Sequence, residues 1–204
     1  MSSVKVHFDH WKNAEYGSPT AHYRVPSSPK FQRSTNLFHY FVFEKGLSPG
    51  KILEIGCNSG RNLDLFQQVG WDVSGVDINV DSIEFCKMRF TKSSDSFSAV
   101  DIFNNQEYLA QFNDDHFEVC FSMGVLMHMP RSKEKDNLIK EMIRISKHTV
   151  LYEFFDFPKL PEPTELHDKG YYLVSEDYRE YDEGFVLLPE LLQTWIHFFA
   201  RETA

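Results

Sequence analysis

Glu54 stands in an otherwise apolar run, "KILEI", and is followed at once by Gly56, Asn58 and Gly60. A carboxylate in a strand costs free energy unless it has partners. Glycines at alternate positions mean that something approaches the backbone closely. Two more carboxylates close the next two apolar runs: Asp77 in "WDVSGVDIN" and Asp101 in "SAVDIF". A strand-end acid can accept hydrogen bonds from both hydroxyls of a ribose. Ile78 beside Asp77 offers an apolar face for an adenine, and Asp101 can accept from an exocyclic amine. In "CFSMGVLMHM" the small residues Ser122 and Gly124 mark a fourth strand end. Each acid taken alone is more ordinarily a loop or capping residue; all three in register with a glycine turn are harder to explain as caps.

The elements that would position these residues form a rhythm. Apolar runs Lys51–Ile55, Asp72–Asp77, Ser98–Asp101, Phe117–Ser122 and Thr149–Phe155 read as strands. Helical patterns at Gly60–Val69, Val80–Phe90, Gln106–Phe112 and Lys133–Ser146 lie between them. Strands alternating with helices imply βαβ units and a parallel sheet. The strands lack clean alternation, which fits burial on both faces. Before them, Lys30–Gly46 has helical spacing and ends on a natural C-terminal glycine. After Phe155 the rhythm stops. "DFPKLPEPTELHDKG" is a loop by its prolines, and "EGFVLL" with "TWIHFFARE" suggests an antiparallel hairpin. The expectation is one domain over residues 1–204, with 1–48 an N-terminal helical or lid segment and 49–204 the core.

Composition narrows the classes. The chain has 204 residues, of which 42% are apolar and 19 are Phe, a globular balance. The Phe-rich stretches read as core or lid packing. A formal charge of −9 disfavours nucleic acid as a partner. Cys57, Cys86 and Cys120 are far apart without a CxxC, so they are expected to be reduced rather than bridged or metal-bound, and no metal site is expected. No signal-peptide pattern and no membrane-length apolar run is present, so the expected location is cytoplasmic. The turn is G-x-N-x-G, not G-x-G-x-x-G, and it lacks the Lys-Ser/Thr ending of a P-loop. No G-x-S-x-G or H-E-x-x-H appears either.

The motifs resemble those of class I S-adenosylmethionine-dependent methyltransferases of the type 11/12 kind. "LEIGCNSGRNL" resembles the first motif, "GVDIN" the second, and "DHFEVCFSMGVLMHM" the fourth-strand segment. The family typically has glycine where this chain has Asn58. The resemblance implies a Rossmann-like α/β fold: a mostly parallel sheet, helices on both faces and a C-terminal antiparallel hairpin. It implies S-adenosylmethionine as cofactor and S-adenosylhomocysteine as product. It further implies cofactor contacts from Tyr23, Arg24, Glu54, Gly56, Asn58, Gly60, Asn62, Asp77, Ile78, Asp101, Ile102, Ser122, Met123 and Gly124. Arg24 would reach the cofactor carboxylate, and Glu54 would organise the turn. A carboxylate that merely caps local N–H groups is the alternative for Glu54.

A narrower likeness to the pseudaminic-acid-biosynthesis-associated methylases runs through "GCNSGRNL", "GVLMHM" and "LYEFFDFP". It implies a sugar or sugar-derived acceptor. On the acceptor side the resemblance implies His128 as acid/base or substrate-orienting residue, with His167 and Glu153 beside the cleft. A histidine suits proton transfer near neutral pH. His128 packed on a backbone carbonyl and His167 solvated in a loop are the ordinary alternatives. A small-molecule methyltransferase is the leading reading. A non-catalytic module with the same fold and a protein or RNA methyltransferase remain beside it, and the oligomeric state is open.

Overall fold

The computed structural model describes residues 34–35, 37–126, 129, 132–154, 171–177 and 194–201. The chain divides into two compact units, Met1–Val100 and Asp101–Ala204.

In the first unit the chain is helical at residues 34–35 and 37–39 and widens into a π-turn over Tyr40–Glu44. The Lys45 N–H donates to the Tyr40 carbonyl at 2.9 Å, and Gly46 ends the segment at φ +65°. Leu37 and Phe41 point inward, as the helical spacing predicts. Strand β1 (Lys51–Ile55) and strand β2 (Asp72–Asp77) pair in parallel, with Glu54 opposite Gly75 and Ile55 opposite Val76. Both strands have the predicted bounds. Strand β3 (Phe97–Ala99) adds in parallel to β2. It is shorter than the predicted Ser98–Asp101, because Asp101 leaves the ladder to close a turn on Asn104.

The crossovers are helix α1 (Asp64–Gln68), then helix α2 (Val80–Arg89) with a 3-10 turn at Thr91–Ser96. Asn79 caps α2 by accepting the Ser82 N–H at 2.9 Å. Helix α1 starts later than the predicted Gly60, since the φ of Gly60 is +72° and lies outside the helical region. The core closes on aromatics: Phe66 meets Trp71 edge-on at 5.5 Å, and Phe90 stacks on Phe97 at 5.0 Å.

The second unit carries helix α3 (Glu107–Ala110), strand β4 (Phe117–Met123), helix α4 (Lys133–Arg144) and strand β5 (Ser146–Phe154). Strands β4 and β5 are parallel. Ser132 caps α4, which buries Leu138, Ile139, Met142 and Ile143 along one face. The helix ends at Arg144, earlier than predicted. Ser146, the predicted last residue, instead opens the next strand, and the Arg144 guanidinium donates to the carbonyls of Phe112 and Leu109 and to Glu141 and Asp114. Strand β6 (Tyr171–Asp177) and strand β7 (Thr194–Arg201) complete the unit, with β7 antiparallel to both β5 and β6.

The antiparallel end therefore exists, but its partner strand differs from the predicted one. Residues 183–188, "EGFVLL", lie outside the described residues, and Tyr171–Asp177 pairs with β7 instead. The β-branched and aromatic residues of "YYLV" suit the ladder. Parallel strands joined by helices, with an antiparallel end, make the architecture Rossmann-like α/β.

Two glycines should separate backbone strain from steric conflict. A Cβ on Gly60 would overlap the Phe90 ring and lie 3.2 Å from Cys86 Sγ, whereas one on Gly70, φ +95°, would meet open space. Gly60→Ala is expected to cost about 2–4 kcal/mol and Gly70→Ala about 1 kcal/mol in denaturant unfolding. Equal costs would contradict the packing account.

Candidate functional site

The turn after β1 is built by borrowing the end of β2. The N–H groups of Gly56 and Cys57 both donate to the Val76 carbonyl, at 2.8 and 3.0 Å. Gly56 and Gly60 take φ of +77° and +72°, and Asn58 takes +47°. Such angles suit glycine and, among other residues, Asn. The Asn58 N–H donates to Asp77 Oδ2 at 2.7 Å, and the Asn79 N–H donates to Asp77 Oδ1 at 2.9 Å. Asp77 is half-buried, and burial raises its carboxyl above the usual range while these backbone N–H groups pull it down. Ile78, next in the chain, is also half-buried.

Glu54 is fully buried on β1. Asn62 Nδ2 donates to its Oε1 at 2.5 Å, Ser34 donates to Asn62 Oδ1, and Arg61 Nε donates to Ser34 at 3.2 Å. The other oxygen, Oε2, is buried with no hydrogen-bond partner among the described residues. Burial pushes the Glu54 carboxyl up to about 8, with the Asn62 hydrogen bond and the Arg61 charge opposing it. An orphaned buried acceptor of this kind is a place for a donor from a ligand or a water.

The thiols complete the wall of the turn. Cys86 on α2 donates to the Asn58 carbonyl at 3.1 Å, and Cys57 approaches the same carbonyl at 3.6 Å. Burial pushes the Cys57 thiol up, so it stays protonated and acts as a weak donor rather than a nucleophile. All three cysteines are free and buried.

In the second unit, Asp101 is half-buried and accepts from the Asn104 N–H at 3.2 Å and from Asn104 Nδ2 at 2.8 Å. Ile102 and Met123 are buried. Ser122 is fully buried at the end of β4 with no partner for its Oγ, and Gly124 follows at φ +66°. Glu153 lies on β5 opposite Trp195. Tyr23, Arg24, His128 and His167 lie outside the described residues. Among the described residues no cluster could hold a metal ion, and no helix is long and apolar enough to cross a membrane.

Sequence reasoning missed Ser34, Arg61, Cys86 and Lys135. Lys135 is buried, and its ammonium donates to the carbonyls of Leu126 and Met129, closing the chain after β4. Nothing local in the sequence marks Ser34 or Cys86, since their partners are 28 residues away. A Lys in the first turn of an amphipathic helix reads as a solvated charge.

The Glu54 geometry predicts a pH dependence of stability. The carboxyl ionises near 4.5 when unfolded and near 8 when folded, so the folded state binds more protons between those values. Stability then falls as pH rises from about 4.5 to 8. Glu54→Gln removes this loss. Relative to wild type, its unfolding free energy should rise by about 2–4 kcal/mol between pH 5 and pH 8. A difference that stays constant with pH would refute the assignment.

Comparisons with known proteins bear on the fold and the domain type. Residues 53–151 match a family described as a methyltransferase domain. No curated protein matches the chain in sequence. Among solved structures, magnesium protoporphyrin IX methyltransferase from Synechocystis PCC 6803, crystallised with bound SAM, superimposes with a TM-score of 0.67 at 15% identity, covering 99% of this chain and 98% of that one. A TehB-like SAM-dependent methyltransferase from Corynebacterium glutamicum gives 0.59 at 18% identity, covering 84% and 95%. A SAM-dependent methyltransferase from Archaeoglobus fulgidus gives 0.56 at 19% identity, covering 83% and 93%. These likenesses establish the fold. The family match covers residues 53–151, and the fold of the chain is the one these S-adenosylmethionine-dependent methyltransferases share.

Proposed function

We propose that the chain transfers a methyl group from S-adenosylmethionine to a small-molecule acceptor, and that residues 1–204 act in this as one domain in the cytoplasm. The observation that carries the reading is the buried Oε2 of Glu54, without a partner among the described residues, two residues before the positive-φ turn. An anionic phosphate would meet two carboxylates at this turn, Glu54 and Asp77. A ligand with an ammonium and ribose hydroxyls would meet acceptors for both.

In this reading the backbone of Gly56, Asn58 and Gly60 lies against the amino-acid part of the cofactor, and Asn62 fixes the Glu54 carboxylate toward it. Asp77 accepts from the ribose, Ile78 and Ile102 cover the adenine, and Asp101 accepts from its exocyclic amine. Ser122, Met123 and Gly124 form the rim toward the reacting group, and Tyr23 with Arg24 closes over the cofactor carboxylate. The bound cofactor supplies an activated methyl group, which the acceptor takes in an in-line displacement. The protein's own work is positioning and exclusion of water.

His128, after β4, takes the acceptor's proton when the acceptor is a hydroxyl or a protonated amine. Glu153 and His167 contact the acceptor. The narrower sequence likeness favours a sugar or sugar-derived acceptor, and the acidic charge disfavours nucleic acid.

Two measurements test this. Titration calorimetry should show S-adenosylhomocysteine binding, and Asp77→Ala should weaken it by roughly 1.5–3 kcal/mol, the scale for losing hydrogen bonds to a charged group. No binding at concentrations of about hundreds of micromolar, far above an ordinary cofactor affinity, would end the reading. On a panel of sugar, amine and acid acceptors, turnover should appear with at least one, and His128→Asn should lower kcat about 10²–10⁴-fold with cofactor affinity nearly unchanged. Cofactor binding with no turnover on any acceptor would point to a non-catalytic module.

A further inference from the structure

Three hydrogen bonds of Asn58 reach different parts of the first unit, beside the 3.6 Å contact of the Cys57 thiol with the Asn58 carbonyl. Its Oδ1 accepts the Ser59 N–H at 2.8 Å, which locks the turn locally. Its own N–H donates to Asp77 Oδ2 at 2.7 Å, at the end of β2. Its carbonyl accepts the Cys86 thiol at 3.1 Å, from α2. The φ of +47° is what turns these three groups in three directions. Asn tolerates that conformation better than other side-chain-bearing residues, because its short amide bonds locally.

The consequence falls on Asp77. An ionised carboxylate has about four acceptor sites, two on each oxygen. The Asn58 N–H occupies one on Oδ2 and the Asn79 N–H one on Oδ1. The carboxylate is thereby fixed in rotation with acceptor capacity left on both oxygens. Two adjacent acceptors held in this way match two adjacent hydroxyls, a vicinal diol.

We propose that Asn58 is a positioning residue for that diol: its left-handed backbone aims the N–H that orients Asp77, and it thereby sets how strongly the site distinguishes a ribose from its deoxy analogue. This deepens the cofactor reading above and rests on it. Asn58 needs no contact of its own with the ribose. A glycine at the same place would have the angle without the Oδ1 lock. An alanine would have neither the lock nor a favourable left-handed backbone.

The test measures two ligands on three proteins: S-adenosylhomocysteine and its analogue lacking both ribose hydroxyls, with wild type, Asn58→Gly and Asn58→Ala. Circular dichroism first confirms folding, and Asn58→Ser replaces Asn58→Ala if the alanine variant is unfolded. Wild type should prefer the ribose ligand. Asn58→Ala should lower that preference about tenfold, mostly through weaker binding of the ribose ligand, because the left-handed angle becomes costly. Asn58→Gly should keep the preference within about threefold of wild type, since glycine holds the angle at no steric cost.

A merely structural role for the turn predicts equal weakening of both ligands in Asn58→Ala, and that result overturns the proposal while leaving the cofactor reading intact. An unchanged preference in Asn58→Ala overturns it too. If wild type binds neither ligand, the cofactor reading and this proposal fall together.

Discussion

The hydrogen bond from the Asn58 N–H to the Asp77 carboxylate ties the turn after β1 to the end of β2. The rest of the first unit's site depends on it. Without it the left-handed angle of Asn58, the one non-glycine among Gly56, Asn58 and Gly60, would be held only by its Oδ1 bond to the Ser59 N–H and by the Cys86 thiol. With it, the Val76 carbonyl and the Asp77 side chain between them hold three successive N–H groups, those of Gly56, Cys57 and Asn58. The turn is thus an extension of the β1–β2 ladder, made partly by a side chain. That is a rigid platform, as a site needs when positioning is the main catalytic contribution.

Glu54 shows the opposite electrostatic situation two residues before the turn. Asp77 has backbone donors on both oxygens, whereas Glu54 has a single amide donor and an orphaned oxygen. Burial raises both carboxyls, Glu54 to about 8. Hydrogen bonding to the charged form opposes desolvation at both, from backbone N–H groups at Asp77 and from the Asn62 amide at Glu54. The relay from Arg61 through Ser34 and Asn62 brings the opposing charge no closer than Arg61 itself. A ligand cation at Oε2 would change that balance most, since an opposite charge within a few ångströms favours the ionised form.

The strands on either side of the turn were legible because their signals are local. "KILEI" and "WDVSGVDIN" are apolar runs bounded by glycine, and β1 and β2 have the predicted bounds. Helices α2 and α4 follow from their helical patterns, and the structure adds Asn79 and Ser132 as their caps. The short helices α1 and α3 start late or stop early, where one turn is decided by a glycine angle or by Arg144 rather than by periodicity. The strand paired with β7 was misread because two β-rich runs compete and "YYLVSED" ends on charges. Within the site, the carboxylates and glycines were visible as residue types. The contacts of Ser34 and Cys86 were not, because they join positions far apart in the chain. Long-range pairing of this sort has no single-sequence signature.

The departure of this chain from the usual glycine of the turn has a physical reading in the same terms. Glycine reaches a left-handed angle freely but also leaves it freely, so the turn must be held by its neighbours. Here the neighbour that does the holding is a half-buried carboxylate with a raised pKa, whose grip weakens if it takes up a proton. Asn58 adds a bond that does not titrate, from Oδ1 to the Ser59 N–H, and so keeps the turn formed whatever the protonation of Asp77. The Cys86 thiol works the same way, since a buried thiol near the Asn58 carbonyl is a neutral donor. Neutral local bonds therefore fix the backbone, and the charged groups are left to meet the ligand. Glu54, raised to about 8 by burial, is mostly uncharged at neutral pH, so the turn does not hold two ionised carboxylates side by side.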